Sequence, residues 1–388
     1  MECENQGVDA RYSRQLALPG FGLESQQALR AARVLVIGAG GLGSAVIPAL
    51  AGAGVGTIGI IDDDRVELSN LHRQLMHGVA DIGAQKVASA AATVAALNPE
   101  TTVVTYAERL TSAIALELFA DYDLVIDGSD NFPTRYLTND AAAITGIPLV
   151  WGAVSQFDGQ VGVAWAERGP TYRDLFPAPP PAGSVLSCEL GGVLPTVVGT
   201  IGSLMATEAI KIITGIGEPL IGRVLTVDAL RGTVRSLTYQ RDPLAAPITE
   251  LIDYELFCGV APVSIQEADS AHQPSPYELT PNELTATELA ARLDSVTLVD
   301  VREPWEAEIA SIPGSILVPL GTLAYDPAGA IAASAAVDIG KPIVVYCHHG
   351  IRSATGRELL ESSGIPASHL LGGIDAWARE IDQEMAQY

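Results

Sequence analysis

Between Arg33 and about Val150 the chain alternates short β-branched runs with longer Ala-rich stretches of helical period. VLVIG, TIGIID, TTVVTY, DLVIDG and IPLVWG are the strands this rhythm predicts, and apolar strands separated by helices imply a parallel sheet covered on its faces. VGVAWAE, a Pro-rich loop FPAPPPAGS, an apolar helix near Pro195 to Ile213, and strands within GRVLTVDAL and TVRSLTYQ follow and complete this first domain. From Cys258 to Pro281 the apolar period gives way to Pro, Ser, Gln and acidic residues, the composition of a linker. A second alternation begins near Leu284, with strands at TLVDV, SILVP and IVVYC and helices at Ala286 to Leu293 and Ser353 to Ser362. The expected organisation is α/β throughout: a first domain over 1–258, a linker over 259–280, and a smaller domain over 281–388.

Composition narrows the function classes. A chain of 388 residues with 48% hydrophobic content can bury two or three separate cores. The formal charge of -24 is spread over both domains, which argues against nucleic acid and against anionic membrane surfaces. The four cysteines, Cys3, Cys188, Cys258 and Cys347, lie far apart without a C-x-x-C pair, so neither a disulfide framework nor a zinc knuckle is expected. The N-terminal MECENQGVDARYSRQ lacks an apolar core, and no run reaches the roughly 18 apolar residues of a span. A reducing cytoplasm is the expected location.

VLVIGAGGLGS reads as a strand entering a helix through Gly38, Gly40 and Gly43, where missing side chains let backbone N–H groups approach a phosphate. Asp62 ends the next strand 22 residues after Gly40, a spacing that suits a grip on a ribose hydroxyl. Alone this is the fingerprint of a dehydrogenase. DDDRVELSNLHRQ adds Asp64, Asn70 and Arg73, GAQK adds Lys86, and DLVIDGSDNFPTR sets Asp130 past another strand end. Two cations near a polyphosphate can neutralise charge on a departing pyrophosphate, and Asp130 can hold magnesium, so adenylation is the implied reaction. Singly, Arg73 or Lys86 also reads as a solvated charge, and Asp62 or Asp130 as a helix cap.

Through RYSRQ, GAGGLGS, the block from Asp62 to Gln74, Lys86 and DGSDN, the region from about Ala10 to Gln240 resembles the MoeB and ThiF type of E1 activating enzymes. The resemblance implies a Rossmann-like E1 domain. It also implies that the terminal glycine of a small β-grasp sulfur carrier, ending in Gly-Gly, attacks ATP to form an acyl adenylate. Gly41, Asp62, Asn70, Arg73, Lys86 and Asp130 would contact ATP or magnesium, and Arg14 would reach into the other subunit of a homodimer. Relatives with a structural zinc carry P-C-Y-R-C where this chain has Pro170, Thr171, Tyr172, Arg173 and Asp174, and Cys258 stands alone, so no zinc is expected. Cys188, in GSVLSCELGG, occupies the place where the family keeps a cysteine near the adenylate; it reads as a thiol forming a thioester or resolving an acyl disulfide, or as a small buried hydrophobe. Pro48 falls inside the helix after the glycines and is expected to bend it.

In KPIVVYCHHGIRSATGRELL an apolar strand ends at Cys347 and a helix begins near Arg352 and Ser353. A loop feeding a helix N-terminus turns N–H groups inward, which lowers a thiol pKa and stabilises a persulfide anion, with Arg352 adding positive field. LVDVREPWE, IPGSILVP, C-x-x-G-x-R-S and LLGGIDAW resemble a single rhodanese domain over roughly Glu283 to Gln387, with Cys347 at the persulfide-bearing position. Cys347 to Arg352 is C-x4-R; the C-x5-R loop of cysteine phosphatases is one residue longer. His348 and His349 read as exposed loop residues, and Asp300 with Arg302 as scaffold for the loop. Ser311 stands where a histidine is frequent.

The reading is therefore a carrier adenylated by ATP and then attacked by a Cys347 persulfide, with Cys188 resolving the acyl disulfide and a cysteine desulfurase or thiosulfate as sulfur donor. The linker would let Cys347 travel between donor and adenylate. A protein-modifying E1 using a Cys188 thioester, a non-catalytic scaffold and a dehydrogenase are the alternatives.

Overall fold

A computed structural model describes residues 10–180, 191–258, 282–334, 338 and 340–386. The chain divides into two units, Met1–Val263 and Ser264–Tyr388. The division falls inside the segment read as the linker, 259–280, all of which lies outside the described residues.

Unit one is built on an eight-stranded sheet. Its strands are β1 (Arg33–Ile37), β2 (Thr57–Ile61), β3 (Thr102–Tyr106), β4 (Leu124–Asp127), β5 (Leu149–Ser155), β6 (Asp158–Ala164), β7 (Arg223–Asp228) and β8 (Thr233–Thr238). Their order is β3-β2-β1-β4-β5-β6-β7-β8, parallel from β3 to β5 and antiparallel from there to β8. The helices that cover it are α1 (Gly22–Ala31), α2 (Gly41–Ala53), α3 (Lys86–Leu97), α4 (Ala115–Ala120), α5 (Phe132–Thr145) and α6 (Pro195–Thr214). Period-two alternation in β1 sends Val34 and Val36 into a core with α2 and α6, and Leu35 and Ile37 into one with α4 and α5. Burial on both faces is why these strands read as continuous apolar runs.

Helix ends follow local chemistry. Asn131 caps α5 by accepting the Thr134 N–H at 2.9 Å, Pro133 stands in its first turn, and Gly146 ends it at φ 75°. Helix α2 runs through Pro48 to a left-handed Gly54, so the proline does not end it. Among the described residues α6 alone is long and apolar enough to cross a membrane. It is also a core helix, carrying Val197, Ile201 and Met205 into the interior and a buried Glu208 paired with Lys211 at 2.5 Å.

Unit two holds a five-stranded parallel sheet ordered β11-β10-β12-β13-β9, from β9 (Glu283–Leu284), β10 (Thr297–Asp300), β11 (Ile316–Leu317), β12 (Ile343–Tyr346) and β13 (Ala367–Leu370). The helices used below are α7 (Pro304–Ile309), α8 (Ile351–Ser362) and α9 (Gly373–Glu380). The helix expected over Ala286 to Leu293 stops at Ala290 and is followed by a 3-10 turn, Leu293–Ser295. SILVP contributes only two paired residues. Strands β9 and β13 are additions to the sequence reading, since EL and ASHL are too short or too polar to show a period.

Candidate active site

In unit one the strand order turns back between β1 and β4, the crevice in which open α/β sheets hold ligands. A cleft of about 400 Å3 opens there. Gly38 adopts φ 87°, and a Cβ at Gly43 would stand 2.2 Å from the Gly38 carbonyl oxygen. A Cβ at Gly41 would stand 2.8 Å from Val198. The turn thus closes tightly and presents the first N–H groups of α2 to the cleft, an anion-binding arrangement.

Asp62 braces this turn. Its carboxylate accepts the Ala39 N–H at 2.7 Å and the Asp64 N–H at 2.8 Å. Burial pushes the Asp62 carboxyl above its ordinary value, against the pull of those N–H groups and of Lys86. Lys86 is only 7% exposed and donates to Asp64 at 2.8 Å, while Asp64 is 65% exposed. Arg73 lines the cleft half-buried and donates to the Ser69 carbonyl at 3.2 Å; Asp130 lies exposed at its rim. Gly40 also lines the cleft, as do Gly38 and Gly41.

Three expected residues do not line it: Gly43, whose backbone closes against Gly38, and, further away, Asn70 and Arg14. Asn70 is not among the lining residues; its side chain accepts the Glu67 N–H at 3.4 Å and shapes the turn before Arg73. Arg14 is exposed on the short helix Ser13–Leu16 and does not line its own chain's cleft. Cys188 lies outside the described residues.

The structure adds residues that sequence reasoning passed over. Gln74 is 4% exposed and lines the cleft, and its Oε1 is buried without a hydrogen-bond partner. Arg135 lines it too, with one guanidinium nitrogen on the Ser129 carbonyl at 3.1 Å and Nε unpartnered. Asp127 is buried and takes Thr138 Oγ1 at 2.6 Å and the Ser129 N–H at 2.9 Å, which fixes the start of the DGSDN loop. Gln74 is uncharged and drew no notice at the end of its block; Arg135 follows Asn131 by one helical turn, a spacing that could have found it.

The segment from Pro170 to Asp174, compared with a zinc-ligand pattern in the sequence reading, is held by a capping box: Asp174 accepts the Thr171 N–H at 2.6 Å and Thr171 Oγ1 at 3.0 Å. Arg173 donates twice to buried Asp140, and Tyr172 packs edge-on against Tyr136 and Trp151. Packing and hydrogen bonds hold this segment.

In unit two Cys347 follows β12 and is 1% exposed. Its Sγ accepts the Gly350 N–H at 3.1 Å and lies 3.6 Å from Ser353 Oγ. Gly350 takes φ 99°, and a Cβ there would stand 3.0 Å from the Gly372 nitrogen. From the other side the Ile374 N–H donates to the Cys347 carbonyl at 2.8 Å and the Asp375 N–H to that of His348 at 3.1 Å. The loop is thereby clamped between the first turns of α8 and α9, with a backbone amide aimed at sulfur.

Arg352 is engaged with Glu306 of α7 through two hydrogen bonds, of 2.6 and 2.5 Å. Its charge is therefore balanced beside the loop, which weakens the field expected of it. His349 is exposed, but His348 is half-buried and stacks on it at 4.0 Å; burial first, and His349 second, hold the His348 imidazole below its ordinary pKa. Fully buried Arg302 pairs with Asp300 at 2.6 Å, and the Tyr346 hydroxyl donates to Asp300 at 2.9 Å, so this pair is scaffold, as read from the sequence.

Comparison with known proteins agrees with this division. The ThiF family model matches residues 12–245, and the rhodanese-like domain model matches 285–380. A probable adenylyltransferase/sulfurtransferase MoeZ of Mycobacterium tuberculosis is 46% identical over 387 residues, covering 98% of this chain and 95% of the relative. The adenylyltransferase and sulfurtransferase MOCS3 of Bos taurus is 41% identical and covers 97% and 87%. A sulfur carrier protein adenylyltransferase of Thermus thermophilus is 51% identical over 262 residues, covering 64% of this chain and 96% of its own. Among solved structures, Escherichia coli MccB with MccA-N7isoASN has a TM-score of 0.57 at 20% identity, covering 63% of this chain and 76% of that one, a likeness of fold. By its family match and its near-full-length relatives, this chain belongs to the ThiF family, as a member that carries a rhodanese-like domain in the same polypeptide.

Proposed function

We propose that this enzyme uses ATP to adenylate the C-terminal glycine of a small ubiquitin-like sulfur carrier and then converts it to a thiocarboxylate with sulfur from a Cys347 persulfide. The observation that carries the reading is the presence in one chain of a glycine cradle flanked by Arg73 and Lys86 and of a buried cysteine held by a loop amide. Relatives named as adenylyltransferases and sulfurtransferases, one of them acting on a sulfur carrier protein, support it.

The carrier carboxylate attacks the α-phosphorus of ATP, and the bond to the β-phosphate oxygen breaks to release pyrophosphate. Arg73 and Lys86 offset charge growing on the leaving group, and Arg135 extends that field. The N–H groups of the glycine turn fit a nucleotide phosphate in the cleft, which Gln74 also lines. Magnesium fits the carboxylate donors of this cleft, Asp130 among its lining residues and the group Asp62, Asp63 and Asp64, whose oxygens lie within 4.8 Å of one another, and when bound would supply charge neutralisation. Arg14, exposed and away from its own cleft, would serve the cleft of a second copy in a homodimer.

The Cys347 persulfide anion attacks the adenylate carbonyl, displacing AMP and leaving an acyl disulfide. A thiolate, Cys188 in this reading, attacks the Cys347 sulfur, so that the carrier departs as thiocarboxylate and a Cys188–Cys347 disulfide remains for an external thiol to reduce. Thiol steps of this kind suit a reducing cytoplasm. Mass spectrometry of candidate carriers incubated with enzyme, ATP, magnesium and either a desulfurase or thiosulfate tests the proposal. Replacement of one oxygen by sulfur is expected, and failure of every Gly-Gly carrier to support pyrophosphate exchange would refute it.

A further inference from the structure

Behind Cys347 lies a row of polar side chains that the mechanism above leaves unused. Val345 of β12 pairs with His369 of β13, and His369 pairs with Glu283 of β9. Residues paired across strands share a face, and so do residues two apart along one strand. Cys347, two residues beyond Val345, therefore points to the side of the sheet that carries His369 and Glu283. Helix α8 covers that side and sets Ser353, fully buried, between sulfur and imidazole.

The contacts run in one direction. Cys347 Sγ is 3.6 Å from Ser353 Oγ, Ser353 Oγ is 3.5 Å from His369 Nδ1, and His369 Nε2 is 3.7 Å from Glu283 Oε1. His369 is 6% exposed, and Glu283 reaches partly into solvent with 29% of its side chain exposed. Burial holds the imidazole below its ordinary pKa, while Glu283 pulls the other way, so the ring is a neutral proton acceptor at neutral pH. The other charged groups near it, Arg357 and Glu358 of α8, are paired with each other at 3.3 Å, and Arg357 also pairs with Glu361 of the same helix at 3.0 Å. From α9 the Cys347 loop receives backbone N–H groups. Loose contacts of this kind before substrate binds are usual for proton-transfer groups.

We propose that His369 is a positioning residue for the loading of sulfur onto Cys347, acting through Ser353 and steadied by Glu283. The inference rests on the reading of Cys347 as a sulfur-carrying nucleophile. At rest the Ser353 hydroxyl donates to the Gly350 carbonyl at 2.9 Å. Rotation of that hydroxyl toward Nδ1 lets the Cys347 proton pass to Ser353 as the Ser353 proton passes to His369. The thiolate then attacks the outer sulfur of the donor, whose S–S bond breaks with its electron pair leaving on the donor. The donor departs as a thiolate, or as sulfite where thiosulfate is used, Cys347 keeps a persulfide anion, and the proton on His369 returns to solvent beside Glu283.

The test uses the full chain with thiosulfate as donor, following sulfite release and the mass of the Cys347 peptide. His369→Gln should load about tenfold more slowly at neutral pH and recover in alkaline buffer, where hydroxide takes over the proton transfer. Ser353→Ala should behave likewise, and Glu283→Gln, at the more exposed end of the row, should move in the same direction by less. Iodoacetamide alkylation of the same peptide reports the same proton without a sulfur donor. A deficit that high pH does not rescue, or unchanged alkylation in all three variants, overturns the relay. Normal His369-dependent alkylation with no sulfur ever found on Cys347 would instead overturn the function proposed for that cysteine and leave the relay standing.

Discussion

Arg173 donates two hydrogen bonds of 2.7 Å each to Asp140, and the carboxylate they hold is 2% exposed. The Tyr254 hydroxyl donates to the same group at 2.8 Å, and the guanidinium lies over the rings of Tyr136 and Phe257 at 5.0 and 4.8 Å. One ion pair thus joins the segment after Pro170, helix α5 and the chain leading to Cys258. A bidentate arginine suits the task because its fork matches the carboxylate and its flat face stacks on aromatics.

Removing Arg173 leaves the buried Asp140 charge with only the neutral donors Tyr254 and Asn139 to hold it. Arg173→Leu should cost about 3–5 kcal/mol, as broken buried pairs do, because Asp140 cannot reach water. Calorimetry of the full chain should show the fall in melting temperature. A zinc chelator should leave the melting temperature of the unaltered protein where it was; a drop would reveal a metal that this segment was not expected to hold.

The two half-reactions should separate by mutation. Arg73→Ala and Lys86→Ala should each slow ATP–pyrophosphate exchange by roughly 10²–10³, the loss typical of one preorganised electrostatic group. Gly43→Ala should abolish ATP binding, since its Cβ would meet the Gly38 carbonyl oxygen at 2.2 Å and the turn would have to open. Cys347→Ala should leave exchange intact and stop thiocarboxylate formation. If exchange fell with Cys347→Ala, the assignment of the two steps to the two units would be wrong.

Much of this architecture was legible because β1, β2, β4 and β5 are buried on both faces. VLVIG, TIGIID and DLVIDG could be nothing but interior strands, and their carboxyl ends located Asp62 and Asp130. Charged groups at strand ends were visible for the same reason. What escaped notice depends on contacts distant in sequence. ASHL shows no period, yet it is an interior strand of unit two because Leu370 enters the core on one face while Ala367 is buried on the other, where His369 is accommodated by Ser353 and Glu283. Arg352 read as a free positive field because its partner, Glu306, lies 46 residues earlier. Gln74 was passed over because an amide announces itself only when burial leaves its oxygen without a donor.

Cys258 offers a further check on which thiol resolves the acyl disulfide. Burial, and then Glu255, push its thiol up to about 11, so little thiolate exists at neutral pH. It should alkylate slowly with iodoacetamide at neutral pH, and Cys258→Ser should leave thiocarboxylate yield unchanged. Cys188→Ser should lower the yield unless an added thiol replaces it. Loss of yield in Cys258→Ser with a normal melting curve would transfer the resolving role to Cys258.

Glu306 makes the second unit sensitive to acid. Burial opposes its ionisation, but the Arg352 hydrogen bonds, the Glu303 N–H at 2.9 Å and the nearby Arg302 outweigh that, and its pKa falls below the ordinary 4.5. A carboxyl whose folded pKa lies below its unfolded one releases its proton more readily in the folded state. Its contribution is complete above the unfolded value and is lost as pH falls from there through the folded value. Melting temperature should therefore drop on acidification below about pH 4.5, and the drop should be shallower in Glu306→Gln. At neutral pH that variant should already melt lower, because Arg352 then faces an amide in place of a carboxylate. Acid limbs that run parallel in the two proteins would show that Glu306 is not the group responsible.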